Sequence, residues 1–276
     1  MEERFDAFVV AGYNPDSPDP LAQATGVSHK ALLPIGGAPM IWHVVRALEE
    51  SGRIREIVVV GLEDAEAAAI DFGRPVHVVP NRRSLIENQY AGLCRLRELD
   101  PADRVVLALS GDVPLLTGEI VAHFLDRCRP FDKGLYWGIV ERRTVEAVFP
   151  HSQRSYIKLR DGHFCNGDIY CGWLSVGFQI QEAGRYILAH RKNQLRQLWL
   201  LGPWVLLRYL FRRLSTTDLI AVAERVLGVQ GMPIILPYAE AAMDVDRPRH
   251  LELVHRYLET HPEHPIHHRA LSPQQP

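Results

Sequence analysis

A chain of 276 residues can bury a full core as one large α/β domain, and 47% hydrophobic with 23% charged residues is ordinary for a soluble globular protein. A formal net charge of -2 argues against nucleic-acid binding driven by bulk charge. Cys94, Cys128, Cys165 and Cys171 show no CxxC spacing, which excludes a disulfide framework and fits reduced thiols in the cytoplasm. The amino terminus has no secretory layout, so no targeting segment is expected.

Phe5 to Val10 is a short apolar strand ended by Ala11-Gly12. The following "YNPDSPDPLAQATGVSHK" is rich in proline and aspartate and is expected to be irregular. It leads into Lys30, then Gly36-Gly37, then a helix from about Pro39 with Ile41, Val44, Val45 and Leu48 on one face. Strands are predicted from Glu56 and from Val76, with a short helix over Ala65 to Phe72 between them. Ser84 is a candidate N-cap for the next helix, with Glu87 three residues on.

The apolar run "VVLALSGDVPLL" (105–116) reads as a strand buried on both faces that ends at Ser110-Gly111-Asp112. Open α/β sheets keep their ligand crevice at the carboxyl ends of such strands, so Asp112 is placed either to hold a divalent metal or to cap the following helix. Alternating strands and helices over the first half predict βαβ units and a mainly parallel sheet.

The second half changes character. Leu135 to Val140 is strand-like, and "SYIKLRDGHFCNGDIY" fits a hairpin turning at Asp161-Gly162, an insertion that would overhang the crevice. Helical sequence then runs to about Gly228, broken at Gly202-Pro203 and restarted after Ser215. Residues 195–213 carry Trp199, Trp204, Arg208, Arg212 and Arg213; the segment is too interrupted to span a membrane and would suit a packed core, a homodimer interface or a helix lying on a lipid surface. A strand from Met232, the acidic "DVD" ending at Asp246 and a helix from Pro248 follow. Residues 263–276, rich in proline and histidine, are expected to be a mobile tail.

Three pieces stand in order: "AG" after the first strand with a later lysine and "LLPIGGAPM", "SGDVPLL" after a central strand, and "DVDRP" before the last helix. Together they resemble the MobA-like NTP transferase family. The resemblance implies a three-layer, mainly parallel GT-A-like or Rossmann-like sheet with an inserted hairpin and helical segment. It divides a single domain, 1–262, into an NTP-binding half (1–130), an acceptor-binding insertion with helices (131–231) and a closing strand, metal motif and helix (232–262). It implies NMP transfer from an NTP to a phosphorylated small-molecule acceptor, with release of pyrophosphate.

Carried onto this sequence, the resemblance assigns Ala11 and Gly12 to the triphosphate, Lys30 to phosphate, and Asp112 and Asp246 to Mg²⁺. Gly111, Ser84 and Asn88 fall in nucleotide-binding segments, and Asp244 falls behind the metal ligands. Arg154, Lys158 and the turn Asn166-Gly167-Asp168 are the candidate acceptor pocket. A phosphate monoester acceptor is already ionised near neutral pH and needs no general base. The first loop departs from the family pattern: no arginine lies between Gly12 and Lys30, so a positive charge is missing or comes from Arg82 or Arg83. Two other readings compete, a nucleotide-sugar glycosyltransferase, since "DVD" imitates its acid-x-acid metal motif, and a nucleotide-binding regulator without catalysis.

Overall fold

The computed structural model describes residues 3–16, 19–189 and 213–269. Its centre is an eight-stranded sheet built on β1 (Phe5–Val10). One side of β1 pairs with β4 (Ile54–Val60), which pairs with β5 (His77–Val79); the other side pairs with β6 (Val105–Ser110). All these pairings are parallel, so Val10, Val60 and Ser110 end side by side at one edge. β2 (Pro34–Ile35) and β3 (Ala38–Pro39) form a separate two-stranded pair.

Side-chain alternation makes three layers. Ala7 and Val9 of β1 with Ile57 and Val59 of β4 join the larger core cluster, beneath α2 (Met40–Glu50) and α5 (Gly118–Cys128). Phe8, Val58 and Val60 point the other way, toward Leu93 and Leu96 of α4 (Leu85–Leu99) and Leu174 at the start of α7 (Leu174–Ala189). The period of two in the strands therefore sorts each apolar residue to one helix layer or the other.

Four expectations change. The proline-rich loop contains a helix, α1 (Pro20–Thr25), because the residues that argued against regular structure begin and end one. Asp19 caps it through Leu21 N–H (2.8 Å) and Ala22 N–H (3.2 Å), Pro20 opens it, and Gly26 closes it at φ 74°. The helix expected over Ala65 to Phe72 is α3 (Asp64–Ala68), held by a reciprocal Glu63–Glu66 cap.

The hairpin is inserted in the sheet and does not overhang it. β8 (Ile157–Leu159) lies at the margin, whereas β9 (Gly162–Trp173) runs antiparallel between β6 and β7 (Leu135–Glu141). A helix, α6 (Arg142–Val148), follows β7, and α8 (Thr216–Leu227) starts at a Ser215–Asp218 capping box, as the restart after Ser215 predicts. β10 (Gly231–Leu236) closes the sheet parallel to β7.

The fourth change is at the end of the chain. After α9 (Pro248–Thr260), residues 263–269 are anchored, with Ile266 and Arg269 buried. Two of the tail histidines bond to protein, His264 Nε2 donating to Leu115 O (3.1 Å) and His267 Nε2 to Leu258 O (2.9 Å), and among the described residues no histidine joins a group of three or more metal-ligating side chains. The helical and membrane-surface expectations for 195–212 lie outside the described residues. Among the described residues, no helix is long and apolar enough to cross a membrane.

Candidate active site

The carboxyl edge of β1, β4 and β6 opens into a cavity of about 550 Å³. Backbone bonds carry the sheet ladder just past the strand ends, from Ala11 N–H to Val60 O (2.7 Å), Gly61 N–H to Val79 O (2.8 Å) and Gly111 N–H to Val10 O (2.9 Å). The three loops are thereby held in register where they meet the cavity. Close packing excludes side chains at Gly12 and Gly61: a Cβ on Gly61, at φ 108°, would overlap the backbone of Gly12.

Asp112 is 7% exposed and does not cap α5, whose first turn is capped by Thr117. Ser110 Oγ donates to its Oδ1 at 2.5 Å, and Val245 N–H donates to its carbonyl at 3.0 Å. The second bond brings the "DVD" segment alongside β6. Lys30 Nζ contacts Asp112 Oδ2 at 2.5 Å and also contacts Asp246 Oδ1. One cationic atom therefore touches both carboxylates, and the two aspartates lie close enough to share a positive charge.

β9 adds a further acid. Because it runs antiparallel and pairs Ile169 with Leu109, its neighbour Asp168 passes the carboxyl end of β6 and lines the cavity. Asp19, Asp112, Asp168, Asp244 and Asp246 all line it, against Lys30. Crowding shows in the ionisation of these groups. Burial and the charge of Asp112 push the Asp168 carboxyl up, and burial and Asp168 push Asp244 up. Burial would raise Asp246 too, but hydrogen bonding to Asp244 and the Lys30 ammonium hold it below the usual carboxylate range. Burial opposes the charge on Lys30, but Asp112 and Asp246 overcome it and raise its pKa.

Such a donor set suits a hard divalent cation. Carboxylate oxygens are the ligands Mg²⁺ prefers, and it uses only one or two from protein. Among the described residues, no group of three or more His, Cys, Asp or Glu is disposed to enclose an ion. An ion held by Asp112 and Asp246 would complete its shell with water and phosphate oxygens.

The remaining predicted residues separate clearly. Ala11, Gly12, Lys30, Gly111, Asp112, Asp168 and Asp246 line the cavity. Ser84 Oγ accepts from Glu87 N–H (3.2 Å) and caps α4. Asn88 is buried under the first loop, donating to Asn81 Oδ1 (3.0 Å) and accepting from Arg82 N–H (2.7 Å). Arg154 is ion-paired with Asp244, so its charge is spent within the protein. Lys158 stands exposed on β8, outside the cavity wall. Gly167 packs on the backbone of Gly138, and Asn166 Nδ2 donates to Asp168 Oδ1 and Tyr170 Oη, each at 2.6 Å.

Neither candidate arginine reaches the cavity. Arg83 pairs with Asp16 at the exposed surface (3.0 Å), and Arg82 contributes only its N–H to Asn88. Polar residues of the wall that carried no predicted role include Tyr13, Asp19 and His29. The signal available for His29 was its place directly before Lys30.

A model of the MobA-like NTP transferase domain matches residues 22–164, just over half of the chain. The chain belongs to this family, a family of nucleotidyltransferases. The match begins after β1 and Gly12, in the part of the first loop that departs from the pattern. Among curated relatives, this MobA-like chain is 34% identical over 106 residues to the bifunctional protein GlmU of Rhizorhabdus wittichii, covering 38% of the chain and 23% of GlmU. It is 27% identical over 126 residues to the 3-deoxy-manno-octulosonate cytidylyltransferase of Glaesserella parasuis, covering 46% of the chain and 49% of that protein. The chain thus spans 23% of the length of the first relative and 49% of the second. A hypothetical transferase from Thermus thermophilus matches over 90% of this chain and 99% of its own, with 35% identity and a TM-score of 0.73.

Proposed function

We propose that this MobA-like protein is a Mg²⁺-dependent nucleotidyltransferase that moves an NMP from an NTP to a phosphorylated, sugar-like small molecule and releases pyrophosphate. The observation that carries the reading is the contact of Lys30 Nζ with both Asp112 and Asp246. Two acids distant in sequence thus face one point at the mouth of β6, where a shared cation and the phosphates it neutralises would sit. A bound magnesium ion would screen the phosphate charge and stabilise the transition state of transfer.

The chain's own residues do the rest. Ala11, Gly12 and Gly111 offer backbone with little side-chain bulk, which lets a triphosphate approach the strand ends. Lys30, held at the phosphate-facing mouth by Asp112 and Asp246, is a point charge suited to the departing pyrophosphate. Asp168 walls the cavity toward β9 and would face the acceptor. An acceptor that carries its own ionised phosphate oxygen needs no proton removed.

Pyrophosphate release from each of the four NTPs with Mg²⁺ and a panel of sugar phosphates tests the reading, and release only with unphosphorylated acidic sugars would overturn its choice of acceptor. CTP comes first because a cytidylyltransferase stands among the relatives. Asp112→Asn and Asp246→Asn are each expected to lower turnover about a hundredfold or more, as loss of a group acting on transition-state charge does, while the melting temperature is kept. Full pyrophosphate release by both variants would overturn it.

A further inference from the structure

A polyphosphate entering this cavity meets five aspartates and, among the described residues that line it, only Lys30 as a permanent cation. His29 stands beside that lysine, 1% exposed and part of the same wall. Tyr13 covers one face of its ring, stacked at 4.9 Å between centroids and 8° between planes. Its Nε2 faces Glu66 Oε2 at 3.4 Å.

Glu66 is fixed in turn. Ser28 Oγ donates to its Oε1 at 2.6 Å, and Glu63 N–H donates to its Oε2 at 2.9 Å. A carboxylate facing Nε2 keeps the ring proton on that nitrogen, so neutral His29 carries a bare lone pair at Nδ1. Nδ1 is buried and has no hydrogen-bond partner in the protein. A buried polar atom left unpaired is costly, and a ligand entering the cavity that His29 lines would supply the missing partner.

We propose that His29, positioned by Glu66, is a phosphate-binding residue: it takes up one proton from solvent as a polyphosphate enters and donates it from Nδ1 to an anionic phosphate oxygen. It would thereby supply the charge of the arginine that the first loop lacks. The inference rests on the nucleotidyltransferase reading. An anion is favoured over a neutral donor by the charges around the ring. Burial holds its basicity below the usual histidine value, while Glu66 of α3 and Glu63, which caps that helix, pull it up. The neighbouring Lys30 ammonium is engaged by Asp112 and Asp246, and Tyr13 offers a neutral phenol. An added anion at Nδ1 works in the same direction as the two glutamates and favours the imidazolium.

Calorimetric titration of the whole chain with each magnesium–NTP at pH 7, in two buffers of different ionisation enthalpy, reads proton uptake directly. The wild type is expected to take up a proton fraction approaching one per nucleotide. His29→Gln is expected to lose that uptake and to bind about tenfold more weakly at pH 6, the worth of one charge-assisted hydrogen bond, with the gap narrowing toward pH 8. Glu66→Gln, which keeps a partner for Ser28, is expected to reduce uptake at pH 7 with little change in melting temperature. NTP binding without uptake in the wild type, or unchanged uptake in His29→Gln, overturns the inference. If His29→Gln does not fold, unchanged uptake in Glu66→Gln overturns it alone. Pyrophosphate release that persists alongside either result leaves the enzyme reading standing, whereas failure of every NTP to bind the wild type removes both.

Discussion

Gly12 has no room for a side chain. A Cβ there would lie 2.0 Å from Asn88 Nδ2 and 2.9 Å from Asn81 Oδ1. Asn88 could yield only by giving up its bonds to Asn81 and to Arg82 N–H. Gly12→Ala is therefore expected to destabilise the fold by about 1–3 kcal/mol, the usual cost of overpacking, and to weaken NTP binding by distorting the first loop. Adding Asn88→Ala removes the closest part of the clash and leaves only the approach to Asn81, so the two substitutions should couple, which chemical denaturation of the four-protein cycle measures. Strict additivity would show that Gly12 and Asn88 do not touch in the working protein. The same pair shows what a sequence exposes at this scale. Lys30, Asp112 and Asp246 were legible because each sits in a motif tied to a strand end or a helix start. The packing of Asn88 under Gly12 and the turn of His29 into the cavity depend on contacts across the fold, which local spacing does not encode.

Elements were legible where periodicity was strong and misread where composition stood in for contacts. β1, β4, β6, α2 and α9 follow their apolar patterns, and the carboxyl-edge crevice follows from the parallel order. Residues 263–269 looked like solvated tail, yet Arg269 is 2% exposed by its side chain and reaches Glu50 with two nitrogens, Nε at 2.9 Å and Nη2 at 2.7 Å. It also donates to the carbonyls of His43 and Leu116, each at 3.2 Å. This short stretch therefore staples α2 to the segment that follows Asp112. Arg269→Ala leaves two buried carbonyls and a partly buried carboxylate without their partner. The expected cost is about 3 kcal/mol, a fall in melting temperature of roughly 6–12 °C for a chain of this size. Scanning calorimetry checks it, and an unchanged melting temperature would show that the anchor carries no stability. Truncation after residue 262 should cost at least as much, since it also removes buried Ile266.

At the scale of the whole molecule, the three layers place an uncharged histidine where protonation opposes folding. His43, on α2, is fully buried, and its Nε2 donates to Ile35 O at 2.7 Å. Burial pushes its pKa down to about 4; the bond to Ile35 opposes the shift, and the nearby Arg269 guanidinium adds to it. In the unfolded chain the same imidazole titrates near 6.5. Between those values the unfolded state binds the proton and the folded state does not, so stability falls as pH falls from about 6.5 toward 4. At 1.36 kcal/mol per unit, this one residue removes about 3 kcal/mol across the window. The raised carboxyls of Asp168 and Asp244 act in the opposite direction, since they are protonated more readily in the folded protein. The difference between wild type and His43→Gln cancels that contribution, because glutamine keeps a donor for Ile35 but does not titrate. Urea unfolding at pH 7 and pH 4.5 should show the variant less stable than wild type at neutral pH and closing most of that gap in acid. A stability difference that stays constant between the two pH values would mean that His43 is not held neutral by the fold.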